Sequence, residues 1–293
     1  MKTLRLALLV FVACTAGAAA QPSQRTDGRI LFVPLATTTE YAPHAVIRTV
    51  DPGTGATTTV APAKIDTEYP TPSPDGRRLA FTRGHAEGTA GRGLFVAGAN
   101  GRHARRIASQ AVRSPTWSPD GSRLAYVWDR VAIRRVDGRL VRRWPLLNVW
   151  QVAWSPRGSQ LVVSRGAEAP SLQLVRPDGR LIRTLRRAPL GEAFLNPQWS
   201  PDGRSIIYEH DTGCANQRCG GAQGMEIIDL QGHVVQSLGY GNFPVFSPSG
   251  TNIAYYYAGV GEHGIFIRSV ADGSTRKVFA GDLESPAIGW QAR

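Results

Sequence analysis

Cysteine is scarce in this sequence: there are three in 293 residues, and Cys14 lies in the apolar N-terminal stretch. Only Cys214 and Cys219 remain beyond it. Past residue 20 no apolar run is long enough to span a bilayer, which excludes a transmembrane helix from the rest of the chain. No G-x-S-x-G segment occurs, so the nucleophile elbow of an α/β-hydrolase is missing. Acidic residues are outnumbered, 22 Asp and Glu against 34 Lys and Arg, for a formal net charge of +12. That balance favours solubility and weak attraction to anionic surfaces without identifying a partner.

What is abundant is turn chemistry, with 32 glycines and 20 prolines in a chain that is 42% hydrophobic. The first 20 residues read as a secretory signal. Lys2 and Arg5 start it, Leu6 to Ala13 form the apolar stretch, and Ala18 to Ala20 offer small residues for cleavage before Gln21. A second reading makes Cys14 a lipid-attachment site, with Phe11 a poor match three residues earlier. Export predicts a secreted, periplasmic or envelope location and argues against nucleic acid as a partner. In such a compartment Cys214 and Cys219, in the Gly-rich "HDTGCANQRCGG", are expected to form a local disulfide. A metal site with His210 is the alternative, and it needs further ligands that the local sequence does not offer.

One pattern recurs. "YPTPSPDGRRLAF", "SPTWSPDGSRLAY", "WQVAWSPRGSQLVV", "NPQWSPDGRSIIY" and "NFPVFSPSGTNIAYY" place their motif serines at Ser73, Ser118, Ser155, Ser200 and Ser247, at gaps of 45, 37, 45 and 47 residues. Such periods point to propeller blades, one four-stranded sheet each. Pro presets φ for the turn, Asp bonds nearby N–H groups, and Gly takes the φ > 0 position. The run that follows alternates with a period of two, as a strand does. Trp117, Trp154, Trp199 and Phe246 are large enough to fill the gap between neighbouring sheets. Pro72 replaces that aromatic in the first full repeat, so that blade should pack differently.

Six further turns, such as "VDGR" at Val136 and "RPDGR" at Arg176, lie between the motifs and read as third-to-fourth-strand hairpins. Six turns against five motifs is a mismatch that the chain ends resolve. "TDGRILFV" from Thr26 reads as a second strand lacking a first, and "SPAIGWQAR" from Ser285 as a first strand with nothing after it. Either Ile288 or Trp290 takes the aromatic position there, two residues apart in register. Both versions predict an all-β fold of six four-stranded antiparallel blades, closed by pairing the N- and C-terminal strands, over residues 21–293.

The P-x-W-S-P-D-G-x-x-[LI]-A-[FY] pattern resembles the WD-like repeats of the TolB propeller family, also found in propellers of prolyl oligopeptidase-type peptidases. TolB proteins carry an α/β domain before the propeller, and nothing of that size fits between Gln21 and Asp27. The peptidases add a hydrolase domain, and here the chain ends at the last strand.

In a blade with strands A to D, the A–B and C–D turns share one face. The longer B–C and D–A connections share the other, where propeller function usually sits. His44, His85, His210 and His263 fall on that loop face, in blades that should be neighbours. They form either a metal or acid–base group, or solvated loop residues. Trp128 and Trp150 are non-motif tryptophans near the same face, available for recognition or for packing under "WPLLNVW". Carboxylates also favour that face, whereas arginines such as Arg142, Arg143, Arg183 and Arg187 favour the outer strands of blades two to four. That basic wall either meets an anionic partner or keeps edge strands apart.

The sequence thus predicts an exported, monomeric scaffold with no catalytic residues and no cofactor, which binds a protein or cell-envelope component through its loop face. The alternative is a metal-dependent polysaccharide lyase or related propeller enzyme, because TolB-like propellers resemble those of oligogalacturonate lyases that hold a metal through histidines.

Overall fold

The structure, a computed structural model, describes residues 26–35, 46–60, 67–83, 92–110, 112–145, 148–166, 168–213, 223–259, 261–283 and 288–293. The expected signal segment, Cys14, His44, His85, Cys214 and Cys219 lie outside these. Among the described residues there are twenty-four strands in six four-stranded antiparallel sheets, and no helix.

Blade 1 contains β1 (Asp27–Phe32), β2 (Arg48–Val50) and β3 (Thr57–Thr59). Blade 2 is β4 (Thr67–Pro72), β5 (Arg78–Arg83), β6 (Gly93–Gly98) and β7 (Arg105–Ala108). Blade 3 is β8 (Arg113–Trp117), β9 (Arg123–Val127), β10 (Val131–Arg135) and β11 (Leu140–Arg143). Blade 4 is β12 (Val149–Trp154), β13 (Leu161–Arg165), β14 (Ser171–Val175) and β15 (Leu181–Arg187). Blade 5 is β16 (Ala193–Trp199), β17 (Ser205–Asp211), β18 (Gln223–Asp229) and β19 (Val234–Tyr240). Blade 6 is β20 (Asn242–Phe246), β21 (Asn252–Gly259), β22 (Glu262–Ser269) and β23 (Thr275–Ala280). The last strand, β24 (Gly289–Ala292), pairs antiparallel with β1 and completes blade 1.

That pairing settles the register. Ile30 faces Trp290 just as Leu124 faces Trp117 and Ile206 faces Trp199. Trp290 therefore holds the aromatic position, and Ile288 does not. The ring is latched again where Asp27 accepts hydrogen bonds from the Ser249 backbone N–H at 2.9 Å and hydroxyl at 3.0 Å, in the turn of blade 6.

The apolar core is divided into six clusters, each drawn from two adjacent sheets. Trp117, Trp154, Trp199 and Trp290 are buried in four of these seams. A blade has two apolar faces and cannot bury either alone, so the seams hold the ring together.

Within each motif the serine is the hub, a role beyond those read from Pro, Asp and Gly. Ser118 is buried; its Oγ donates to Asp120 Oδ1 at 2.5 Å and accepts from Arg123 N–H at 2.9 Å. Ser73 and Ser200 repeat both bonds. Asp120 is held down at about pKa 2, chiefly by the Ser118 hydroxyl. The turn glycines, from Gly121 at φ 64° to Gly250 at φ 78°, occupy the left-handed region that the tight loop requires.

Candidate functional site, a neutral central well

The first strands of the six blades adjoin one another in ring order around a central cavity of about 270 Å³. These are β24, β4, β8, β12, β16 and β20. The cavity takes in Ser-Pro turns such as Ser73-Pro74 and Ser200-Pro201, which places it toward the A–B turns. That is the face opposite the long loops to which the sequence reading assigned function.

The lining follows from what an inner edge strand needs. Pro70, Pro115, Pro197 and Pro244 stand two residues before the aromatic position in four blades, removing N–H groups that would otherwise offer an open sheet edge. The residue before each proline, Tyr69, Ser114, Asn196 or Phe243, adopts φ between 50° and 54°. The strand register shifts there, so these are bulges that turn side chains toward the well. Among the described residues, no Asp, Glu, Lys, Arg or His lines the cavity. In a chain of net charge +12 the well is neutral, walled by prolines, aromatics, amides and hydroxyls.

Behind that wall lies a carboxylate that sequence reading missed. Glu209 on β17 is 1% exposed. It accepts a hydrogen bond from Asn196 Nδ2 at 2.7 Å and another from the Phe243 backbone N–H. Asn196 is in turn clasped by Gln151, whose Nε2 donates to Asn196 Oδ1 at 2.6 Å while its Oε1 accepts from Asn196 N–H at 2.5 Å. The chain Gln151–Asn196–Glu209–Phe243 thus stitches blades 4, 5 and 6 together and fixes two left-handed residues. Burial pushes Glu209 up to about pKa 7, with Asp211 adding to the rise; the bonds from Phe243 and Asn196 oppose it. The signal was available in "YEHD": a second strand is buried on both faces, so a central Glu had to be enclosed.

On the loop face, His210 Nε2 meets Glu192 Oε2 at 2.8 Å beside the Phe194 ring. His263 Nδ1 meets Asp282 Oδ1 at 3.0 Å, and Tyr256 O–H donates to the same carboxylate oxygen at 2.7 Å. Burial, helped by that bond and the Asp282 charge, pushes Tyr256 up to about pKa 12. The two histidines sit in different blades, each on its own carboxylate. Among the described residues, no three His, Cys, Asp or Glu side chains are grouped to hold a metal ion. Trp150 packs over Gly166, where an added Cβ would fall 1.8 Å from the indole. Trp128 is exposed, with the Arg143 guanidinium 5.5 Å from its ring centre. Trp144, fully buried, donates from Nε1 to Pro177 O at 3.0 Å.

A closed ring of six sheets around a rigid neutral well defines a β-propeller whose inner strands present a shaped surface. The chain belongs to the TolB beta propeller domain family, which matches residues 22–238. No curated protein sequence matches. Among solved structures the fold is similar to TolB from Acinetobacter baumannii, with a TM-score of 0.70 and 18% identity over 90% of this chain; the match spans 66% of that protein. It is also similar to a chain of a nidogen/laminin complex (TM-score 0.65, 13% identity, 90% of this chain and 98% of that one). An oligogalacturonate lyase in complex with manganese shares the fold at a TM-score of 0.55 and 12% identity, over 81% of this chain and 71% of that one.

Proposed function

We propose that this protein is an exported, non-catalytic propeller scaffold that docks a segment of another protein, or of a cell-envelope component, into its central well. The observation that carries this is the lining. A neutral cavity walled by proline and aromatic rings, with amides at its bulges, suits an uncharged stretch of polymer. Its walls are preorganised: Thr71 Oγ1 donates to Pro115 O at 3.2 Å, and Trp199 Nε1 to Ala153 O at 3.2 Å, each across a blade seam. A rigid wall lowers the ordering cost of binding. Similarity to a chain of a nidogen/laminin complex is in keeping with a propeller that binds protein. The loop face, with Trp128 exposed on it, offers a second approach to a large partner.

A photocrosslinker placed at Gln198, in the well, should capture a partner from envelope extract of the producing organism, and one at Thr57, on the outer wall, should not. Capture from Thr57 alone would overturn this reading. So would stoichiometric metal in the same sample that is lost on His210→Ala or His263→Ala, which would favour the lyase alternative.

A further inference from the structure

The outermost strands carry a pattern that the well does not use. Directly after the C–D turns of blades 3, 4 and 5 stand Leu140-Val141, Leu181-Ile182 and Val234-Val235, each pair preceded by a left-handed glycine and one basic residue. All six side chains are between 39% and 64% exposed. The equivalent pairs in the other three blades are Thr57-Thr58, His103-Ala104 and Thr275-Arg276. The same edge position is therefore aliphatic on three consecutive blades and free of large aliphatic side chains on the remaining three. Strand propensity alone would act on all six alike. A one-sided row of exposed aliphatics is the signature of a surface that meets something apolar.

Its charge says what. Residues 139–143 and 180–187 hold seven arginines, residues 233–240 on blade 5 hold none, and none of the three segments holds a carboxylate. Arg142, Arg143, Arg183 and Arg187 are exposed beside the aliphatic pairs of blades 3 and 4. The carboxylates of the adjoining turns are occupied: Asp137 with Arg135 at 3.1 Å, Asp229 with His233 at 3.0 Å, and Asp178 with the Arg180 backbone N–H at 3.0 Å. Shallow aliphatics flanked by guanidinium groups match the boundary of an anionic bilayer, where acyl chains lie beneath phosphates. We infer that the outer edge of blades 3 to 5 docks onto an anionic phospholipid bilayer, with the three aliphatic pairs entering the headgroup region and the arginines binding lipid phosphate. A protein partner would not need aliphatics on three consecutive blade rims at the same height, with exposed arginines beside two of them. Nothing here depends on the well, and the two proposals can fail separately.

The test is co-sedimentation of residues 21–293, which retain every described strand, with two kinds of vesicle. One is phosphatidylcholine alone; the other is equal parts phosphatidylcholine and phosphatidylglycerol. Binding is expected to the mixed vesicles only, and to weaken with added salt. Leu181→Ser/Ile182→Ser and Arg142→Gln/Arg143→Gln should each weaken it at least about tenfold, while Arg276→Gln on blade 6 should not. All these side chains are exposed, so the thermal transition checks that folding is intact. Failure to bind, equal binding to both vesicles, or indifference to the two double changes would overturn the inference. So would a dimer in solution that Leu181→Ser/Ile182→Ser converts to monomer, which would assign the surface to a second copy of the chain.

Discussion

The backbone N–H of Val152 donates to the hydroxyl of Ser114 at 3.1 Å, across the seam between blades 4 and 3. Val152 stands where four other blades carry proline, so it alone among those five positions has an N–H facing the inner edge. One blade lacks the proline, and its neighbour supplies an acceptor. A buried donor seldom goes unmatched, and here the match also couples two blades.

Ser114→Ala should therefore cost about 1–3 kcal/mol, because it leaves a buried N–H unsatisfied as well as removing a bond. The urea midpoint would show it. Ser114→Thr, which keeps the hydroxyl, should recover part of the loss; equal midpoints for Ala and wild type would remove the role assigned to this contact.

Glu209 predicts a pH dependence with a definite sign. Its folded pKa is raised from 4.5 to about 7, so between these values the native state keeps a proton that the unfolded chain has released. Stability from this group is complete below about pH 4.5 and is lost as pH rises through 7, by an amount on the order of 3 kcal/mol. Glu209→Gln should flatten that part of the profile. Urea midpoints at pH 5 and pH 8 for both proteins isolate the effect, and parallel profiles would refute it.

Trp290 closes the ring, buried between blades 6 and 1 with Nε1 donating to Gly28 O at 3.2 Å. Trp290→Ala should cost about 3–5 kcal/mol by opening a cavity at the seam. It should also raise hydrogen exchange in β1 before the other blades, since β1 depends on β24 for its inner partner. Uniform exchange across all blades would mean that closure is not local to this seam.

His210 and His263 are held by separate carboxylates on separate blades. A divalent ion needs three or four converging ligands. His210→Ala and His263→Ala are expected to leave bound metal unchanged, as read by elemental analysis. A drop in stoichiometric manganese or zinc in either variant would be the contrary result.

Much of this was legible in the residues. Five Ser-Pro turns announced the blades, the leftover strands at the two ends announced the closure, and the burial of Trp117 and Trp199 followed from their size. Other features were not. The position of Trp290 stayed open because Ile288 fits the same pattern two residues away, and only hydrogen bonding to Ile30 distinguishes them. The well went unplaced because it is made from single strands spread across the whole chain. Gln151 and Asn196 are 45 residues apart and meet only when blades 4 and 5 are side by side.

By itself the sequence determined the strands, their turns and the number of sheets, because period-two alternation and left-handed glycines act within a few residues. Only the tertiary structure decided where charge is excluded and where it is enclosed. The neutrality of the well and the burial of Glu209 arise from neighbours brought together by ring closure, and no local rule encodes which side chains of distant repeats will share a seam.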